Sequence, residues 1–133
     1  MLTRRDFMKQ ITINLKNEPG ALCSVCDAIE RVGVNILSLF CGALNSKGIV
    51  HLITEDEETT KKTLEKVGYN PTTSDVLLIK LQDKPGELAK VLRKLAFSKV
   101  NIETILLLTR EKSEVTLALK TDNIKKAKEA ISL

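Results

Sequence analysis

The chain's strongest constraint is its own repetition: EPGALCSVCDAIERVGVNI, starting at Glu18, returns 66 residues later as KPGELAKVLRKLAFSKVNI, starting at Lys84. At that offset Pro19 meets Pro85, Gly20 meets Gly86, Leu22 meets Leu88, Asn35 meets Asn101 and Asp56 meets Asp122. A period of this size means that one small supersecondary unit is present twice. With 133 residues and 43% hydrophobic side chains, two very small units can still build cores. The repeat predicts an N-terminal extension over 1–7, a first unit over 8–74 and a C-terminally short second unit over 75–133.

Within each unit the hydrophobic period changes in order. Residues 9–15 and 76–82 alternate or run apolar with β-branched side chains, the pattern of a strand ending at a Pro-Gly turn. Leu22, Val25, Cys26, Ile29 and Val32 then recur at helical spacing, as do Leu88, Val91, Leu92 and Leu95. Two β-rich stretches follow, 34–44 with 47–54 and 100–110 with 114–120, each pair read as a hairpin. DEETTKKTLEKVG opens with acids and ends at Gly68, the polarity of a helix, and DNIKKAKEAISL matches it. A short further strand is expected around Tyr69 to Ser74, interrupted by Pro71 and running into the next unit.

The order β-α-β-β-α-β predicts an α+β fold: a ferredoxin-like unit repeated twice, with an antiparallel sheet and helices on one face. The second copy lacks residues for its last strand. Its sheet edge therefore stays open or is covered by Met1 to Phe7 or by a partner chain. Ile36 to Phe40 and Thr104 to Thr109 are apolar at both parities, so both sheet faces read as buried, and a homodimer or higher oligomer through the uncovered face is expected.

Several classes are excluded. Charged or turn residues interrupt every apolar run before the length of about 18 that a membrane span needs. The RR pair in TRRDFMK resembles an export signal, but Gln10, Thr12, Asn14 and Lys16 break the apolar segment it requires. Three cysteines, an odd number, fit a reducing compartment, so the expected location is cytoplasmic. The 21 basic and 17 acidic residues are interleaved, and aromatic content is 3% with no Trp, which leaves little for nucleic acid to dock or stack on.

The chemistry then concentrates at the Pro-Gly turns. Each sits where a strand feeds a helix N-terminus, whose first N–H groups lack intrahelical partners and favour an anion. Pro19 and Pro85 suit the first helical turn, and Gly20 and Gly86 would let a ligand reach the backbone. Asn17 and Asp83 offer oxygens to cap the helix or to meet an ammonium group. Asn35 and Asn101, between valine and isoleucine, are costly unless hydrogen-bonded. Taken alone, Pro-Gly and asparagine are equally ordinary turn punctuation.

The pattern N/D-x-P-G-x-L-x-x-V…V-N-I, present twice on such a unit, resembles the ACT domain, the small regulatory module of amino-acid enzymes, over nearly the whole chain from about Met8. The resemblance is nearest to stand-alone tandem ACT proteins without a catalytic domain. It implies a small amino acid bound between the first strand-to-helix loop of one unit and the second strand of its neighbour. The site residues so implied are Asn17, Gly20, Ala21, Leu22, Asn35 and Ile36, and Asp83, Gly86, Glu87, Leu88, Asn101 and Ile102. The missing last strand and the negative Glu87 depart from the pattern, so one of the two sites is expected to be empty or altered.

Other residues offer different chemistry. Cys23 and Cys26 form a C-x-x-C that could chelate Cu(I) or half of a zinc site. At offset 66, however, Cys23, Cys26 and Cys41 meet Ala89, Leu92 and Leu107, so core filling is the expected role and no metal or cofactor is assigned. His51 meets Leu117 and reads as a hydrogen-bonded structural histidine on an apolar sheet face. With one His and no nucleophile-base arrangement, no enzyme activity is expected. Amino-acid sensing for a metabolic enzyme thus leads, ahead of soft-metal binding and of a ligand-free assembly subunit.

Overall fold

The computed structural model describes residues 7–132, which form six strands and four helices. The arginine-bearing stretch before Phe7 lies outside the described residues. Contacts divide the chain between Ser74 and Asp75 into an N-terminal unit, Lys9–Ser74, and a C-terminal unit of residues 75–132 with Phe7 and Met8.

The N-terminal unit runs β1 (Phe7–Lys16), α1 (Ala21–Arg31), β2 (Ile36–Leu44), β3 (Lys47–Thr54) and α2 (Glu57–Lys66). β3 lies antiparallel between β2 and β1, with Ile13 opposite Val50 and Cys41 also opposite Val50. Alternation places Ile11 and Ile13 of β1 and Val50 and Leu52 of β3 towards the helices, where they pack with Val25, Ile29 and Leu64. Burying such side chains contributes roughly 1.5–3 kcal/mol each before the entropy of ordering them. α2 starts at Asp56, whose side chain accepts from the Thr59 amide.

The C-terminal unit repeats this as β4 (Thr72–Gln82), α3 (Glu87–Phe97), β5 (Ile102–Glu111), β6 (Glu114–Thr121) and α4 (Ile124–Ile131). Its core gathers Leu77, Ile79, Leu95, Val100, Leu117, Leu119, Ala127 and Ala130. As expected, the stretch after Tyr69 runs into the next unit. Pro71, which has no N–H for a ladder, precedes a single strand, β4, that runs from Thr72 through the unit boundary. Among the described residues no strand follows α4. Phe7 packs against this unit's core, and the Lys128 ammonium lies 4.3 Å from its ring centroid.

The two copies are not related by one offset. Both hairpins carry an irregularity at their start, between Ile36 and Ser38 and between Ile102 and Thr104. β5 has a second one between Leu107 and Thr109, where Leu108 is an extra residue. Beyond it the offset is 67: Ile13 faces Val50, while Ile79 faces Leu117. His51 therefore corresponds to Ala118 rather than Leu117. Asp56 corresponds to Asn123 rather than Asp122, and Asn123 likewise caps its helix, accepting from the Lys126 amide.

The face of the N-terminal sheet turned away from the helices is mixed rather than apolar. Phe40 and Ile49 are exposed there, and His51 stacks on Phe40 with ring centroids 5.9 Å apart. His51 Nδ1 lies 2.9 Å from the Thr12 hydroxyl and 3.3 Å from the Gln10 amide nitrogen. The histidine is thus hydrogen-bonded, but among polar neighbours from β1.

Candidate functional site

In each unit the first strand-to-helix connection is a β-turn with proline second and glycine third. The Ala21 amide donates to the Glu18 carbonyl at 3.3 Å, and the Glu87 amide to that of Lys84 at 3.4 Å. Gly20 (φ 87°, ψ −11°) and Gly86 (φ 89°, ψ −15°) hold the left-handed third position of a type II turn. Pro19 and Pro85 therefore lie before the helices, not in their first turn. A Cβ on either glycine would meet nothing within 4 Å, so glycine is required by the positive φ rather than by crowding. Neither helix has a side-chain cap, so Asn17 and Asp83 do not cap.

Those two residues instead tie the turn to the hairpin tip. The Asn17 amide donates to the Ser46 carbonyl at 3.1 Å, and the Asp83 amide to that of Ser113 at 2.7 Å. Their side chains then diverge. Asn17 Nδ2 donates to the Asn45 carbonyl at 2.7 Å, whereas Arg110 Nε donates to Asp83 Oδ2 at 3.0 Å.

In the N-terminal unit a groove of about 880 Å³ runs beside the turn, lined by Gly20 and Ala21 with Lys16, Ser24, Lys47 and Tyr69. Asn35 and Ile36 line a separate depression with Cys26 and Gly33. They lie at the other end of α1, whose eleven residues span about 16 Å. One unit therefore does not bring its own turn and its own β2 start together. Asn35 and Asn101 are exposed, so the expected burial cost does not arise. Their carbonyls accept from the amides of Glu55 and Asp122, and the Asn101 amide donates to Asp122 Oδ1 at 2.9 Å. Ile36 and Ile102 are half-buried against the cores, as is Leu22.

In the C-terminal unit the turn borders a smaller cavity of about 170 Å³. Leu81, Leu88, Leu107, Val115 and Leu117 supply aliphatic walls, and Asp83 and Arg110 supply opposite charges. Glu87 does not line it. Its carboxylate is paired with Lys90 at 3.2 Å and Lys84 at 3.8 Å, so the negative charge expected to spoil this site is locally compensated. Arg110 was missed from sequence because the offset of 66 aligns it with Leu44. The alternation of Val115, Leu117 and Leu119 against Gly48, Val50 and Leu52 would have revealed the extra residue.

The cysteines do not fill the core: Cys23 and Cys41 are exposed and Cys26 is half-buried. Each stands where the other unit has an apolar residue. Burial pushes the Cys26 thiol up, with Cys23, Asp27 and Cys41 adding to it, which disfavours the thiolate that metal or redox chemistry needs. Among the described residues no group of three metal-ligating side chains is placed to hold an ion.

Two β-α-β-β-α units with glycine-capped helices facing a hairpin tip define a tandem ferredoxin-like fold. The family model described as an ACT domain pair matches residues 7–133, and the chain belongs to that family. The fold is similar to the crystal structure of protein BT0572 from Bacteroides thetaiotaomicron, with 26% identity, TM-score 0.88, and 96% of this chain and 88% of that one covered. It is also similar to the ligand-free regulatory subunit of aspartate kinase from Thermus thermophilus, with 17% identity, TM-score 0.70 and coverage of 94% and 91%. The corresponding subunit from Thermus flavus gives 17% identity, TM-score 0.66 and coverage of 96% and 91%. These two show the fold alone. No curated protein matches the chain in sequence. No described helix is long and apolar enough to cross a membrane.

Proposed function

We propose that this chain is a non-catalytic, cytoplasmic regulatory module that binds a small amino acid at its strand-to-helix turns and signals occupancy to a partner, an enzyme of amino-acid metabolism. ACT pairs are regulatory, and two similar structures are regulatory subunits of aspartate kinase. The observation that carries the reading is the duplicated Pro-Gly turn. In both units a glycine in the left-handed region opens a helix with no side-chain cap, which leaves backbone N–H groups for a carboxylate.

The contacting residues are Asn17, Gly20, Ala21 and Leu22 with Asn35 and Ile36 of a neighbouring copy, and Asp83, Gly86, Glu87 and Leu88 with Asn101 and Ile102. The separation of Asn35 from its own turn supports a site that a second copy completes. A homodimer or higher oligomer is therefore part of the proposal, with exposed Phe40 and Ile49 on the face turned away from the helices as an apolar contact. A ligand that prefers one arrangement of copies shifts the population towards it.

A thermal-shift comparison across the twenty amino acids tests this. A ligand that binds only the folded chain raises Tm. No shift with any amino acid at millimolar concentration would overturn the reading.

A further inference from the structure

Resting on the amino-acid reading above, we propose that the cavity at the β4-to-α3 turn is a zwitterion site selective for an aliphatic α-amino acid, with Asp83 receiving the ammonium and Arg110 joining the turn's backbone N–H groups on the carboxylate.

The bulge makes this site. Arg110 faces Val115 across the hairpin and Leu107 faces Leu117, so Leu108 between them lets residues three apart share the cavity side. In an unbroken strand Thr109 would take that place, and Arg110 would point to the opposite face. The N-terminal unit has no such bulge, and the position corresponding to Arg110 is Ala43, opposite Gly48. Only one unit therefore sets a carboxylate and a guanidinium at the same turn.

The pair reproduces the ligand's charges in reverse. Arg110 and Asp83 side chains are 62% and 38% exposed, so their mutual contact holds little free energy and yields readily to a ligand. The Nε contact uses one of five guanidinium donors, and the planar fork suits a carboxylate. A cavity of about 170 Å³ is well below drug-sized pockets. It admits one small molecule. Gln82 and Lys84 also line it, but Lys84 is paired with Glu87 at 3.8 Å, so the five aliphatic walls favour an apolar side chain over a charged one that would be desolvated there.

Isothermal titration of the full chain tests the proposal, with leucine, isoleucine, valine, aspartate and lysine as ligands. The single-charge analogues 3-methylbutylamine and 4-methylpentanoate complete the set. The expected result is binding of an aliphatic amino acid, no measurable binding of either analogue, and at least about tenfold weaker binding in Arg110→Gln and in Asp83→Asn. Lys62→Gln, in an exposed ion pair on α2 of the other unit, should leave that affinity unchanged. If an amino acid binds and Arg110→Gln does not weaken it, or aspartate or lysine binds in preference, the zwitterion site is wrong while the amino-acid reading stands. If none of the twenty amino acids binds the wild type, the amino-acid reading falls and takes this site with it.

Discussion

The side-chain amide of Asn17 donates to the backbone carbonyl of Asn45 over 2.7 Å, fastening the first strand-to-helix turn to the tip of the β2–β3 hairpin. In the second unit the matching residue, Asp83, reaches Arg110 instead. One position in two copies of a fold thus serves as a structural clasp in one and as half of a charge pair in the other.

Asn17→Ala should lower the unfolding free energy by about 1 kcal/mol, the net worth of one such hydrogen bond. Urea denaturation followed by circular dichroism checks it. Asp83→Ala should cost less, since its partner contact is a solvent-exposed ion pair. Equal losses would contradict the division of roles.

Gly20→Ala and Gly86→Ala should each destabilise by about 1–2 kcal/mol. The cause is backbone conformation, since alanine resists the left-handed region while its Cβ meets no atom. Asparagine, which tolerates that region better, should recover part of the loss in the same denaturation experiment.

Much of this was legible in sequence. The doubled Pro-Gly signal fixed both turns, because few residues enter a type II turn and the repeat showed the same pair twice. Helical spacing located Val25, Ile29 and Leu95 in the cores. The inserted Leu108 was not legible to a single offset, because both registers leave β-rich residues in β5 and β6. Only pairing with β4, Leu117 opposite Ile79, separates them. The cysteines misled for a related reason: alignment with an apolar residue identifies a position in the repeat, but not how deeply it is buried.

Asp56 should make stability pH-dependent at the acid end. Hydrogen bonds from the Thr59 hydroxyl and amide hold its carboxyl below the ordinary carboxylate value, against slight desolvation and with Lys62 contributing. A carboxyl lowered by folding stabilises above its unfolded pKa and loses that contribution as pH falls through the folded value. Asp56→Ala should therefore be less stable than wild type at pH 7, and the two thermal unfolding curves should converge well below pH 4.

Thiol titration of the folded protein with a disulfide reagent at pH 8 should show Cys23 and Cys41 reacting quickly and Cys26 slowly. Two are exposed, and the third is half-buried with a raised pKa. Three equal rates would place Cys26 in a more open position than its burial implies.

Backbone amide shifts in a nitrogen-proton correlation spectrum, recorded as amino acids are added, test the ligand account most directly. The account predicts that at least one amino acid moves the amides of the strand-to-helix turns, most strongly over residues 83–88 together with Leu107 and Arg110. A folded protein whose turn amides stay unmoved by every amino acid, or whose shifts map away from both turns, would contradict it.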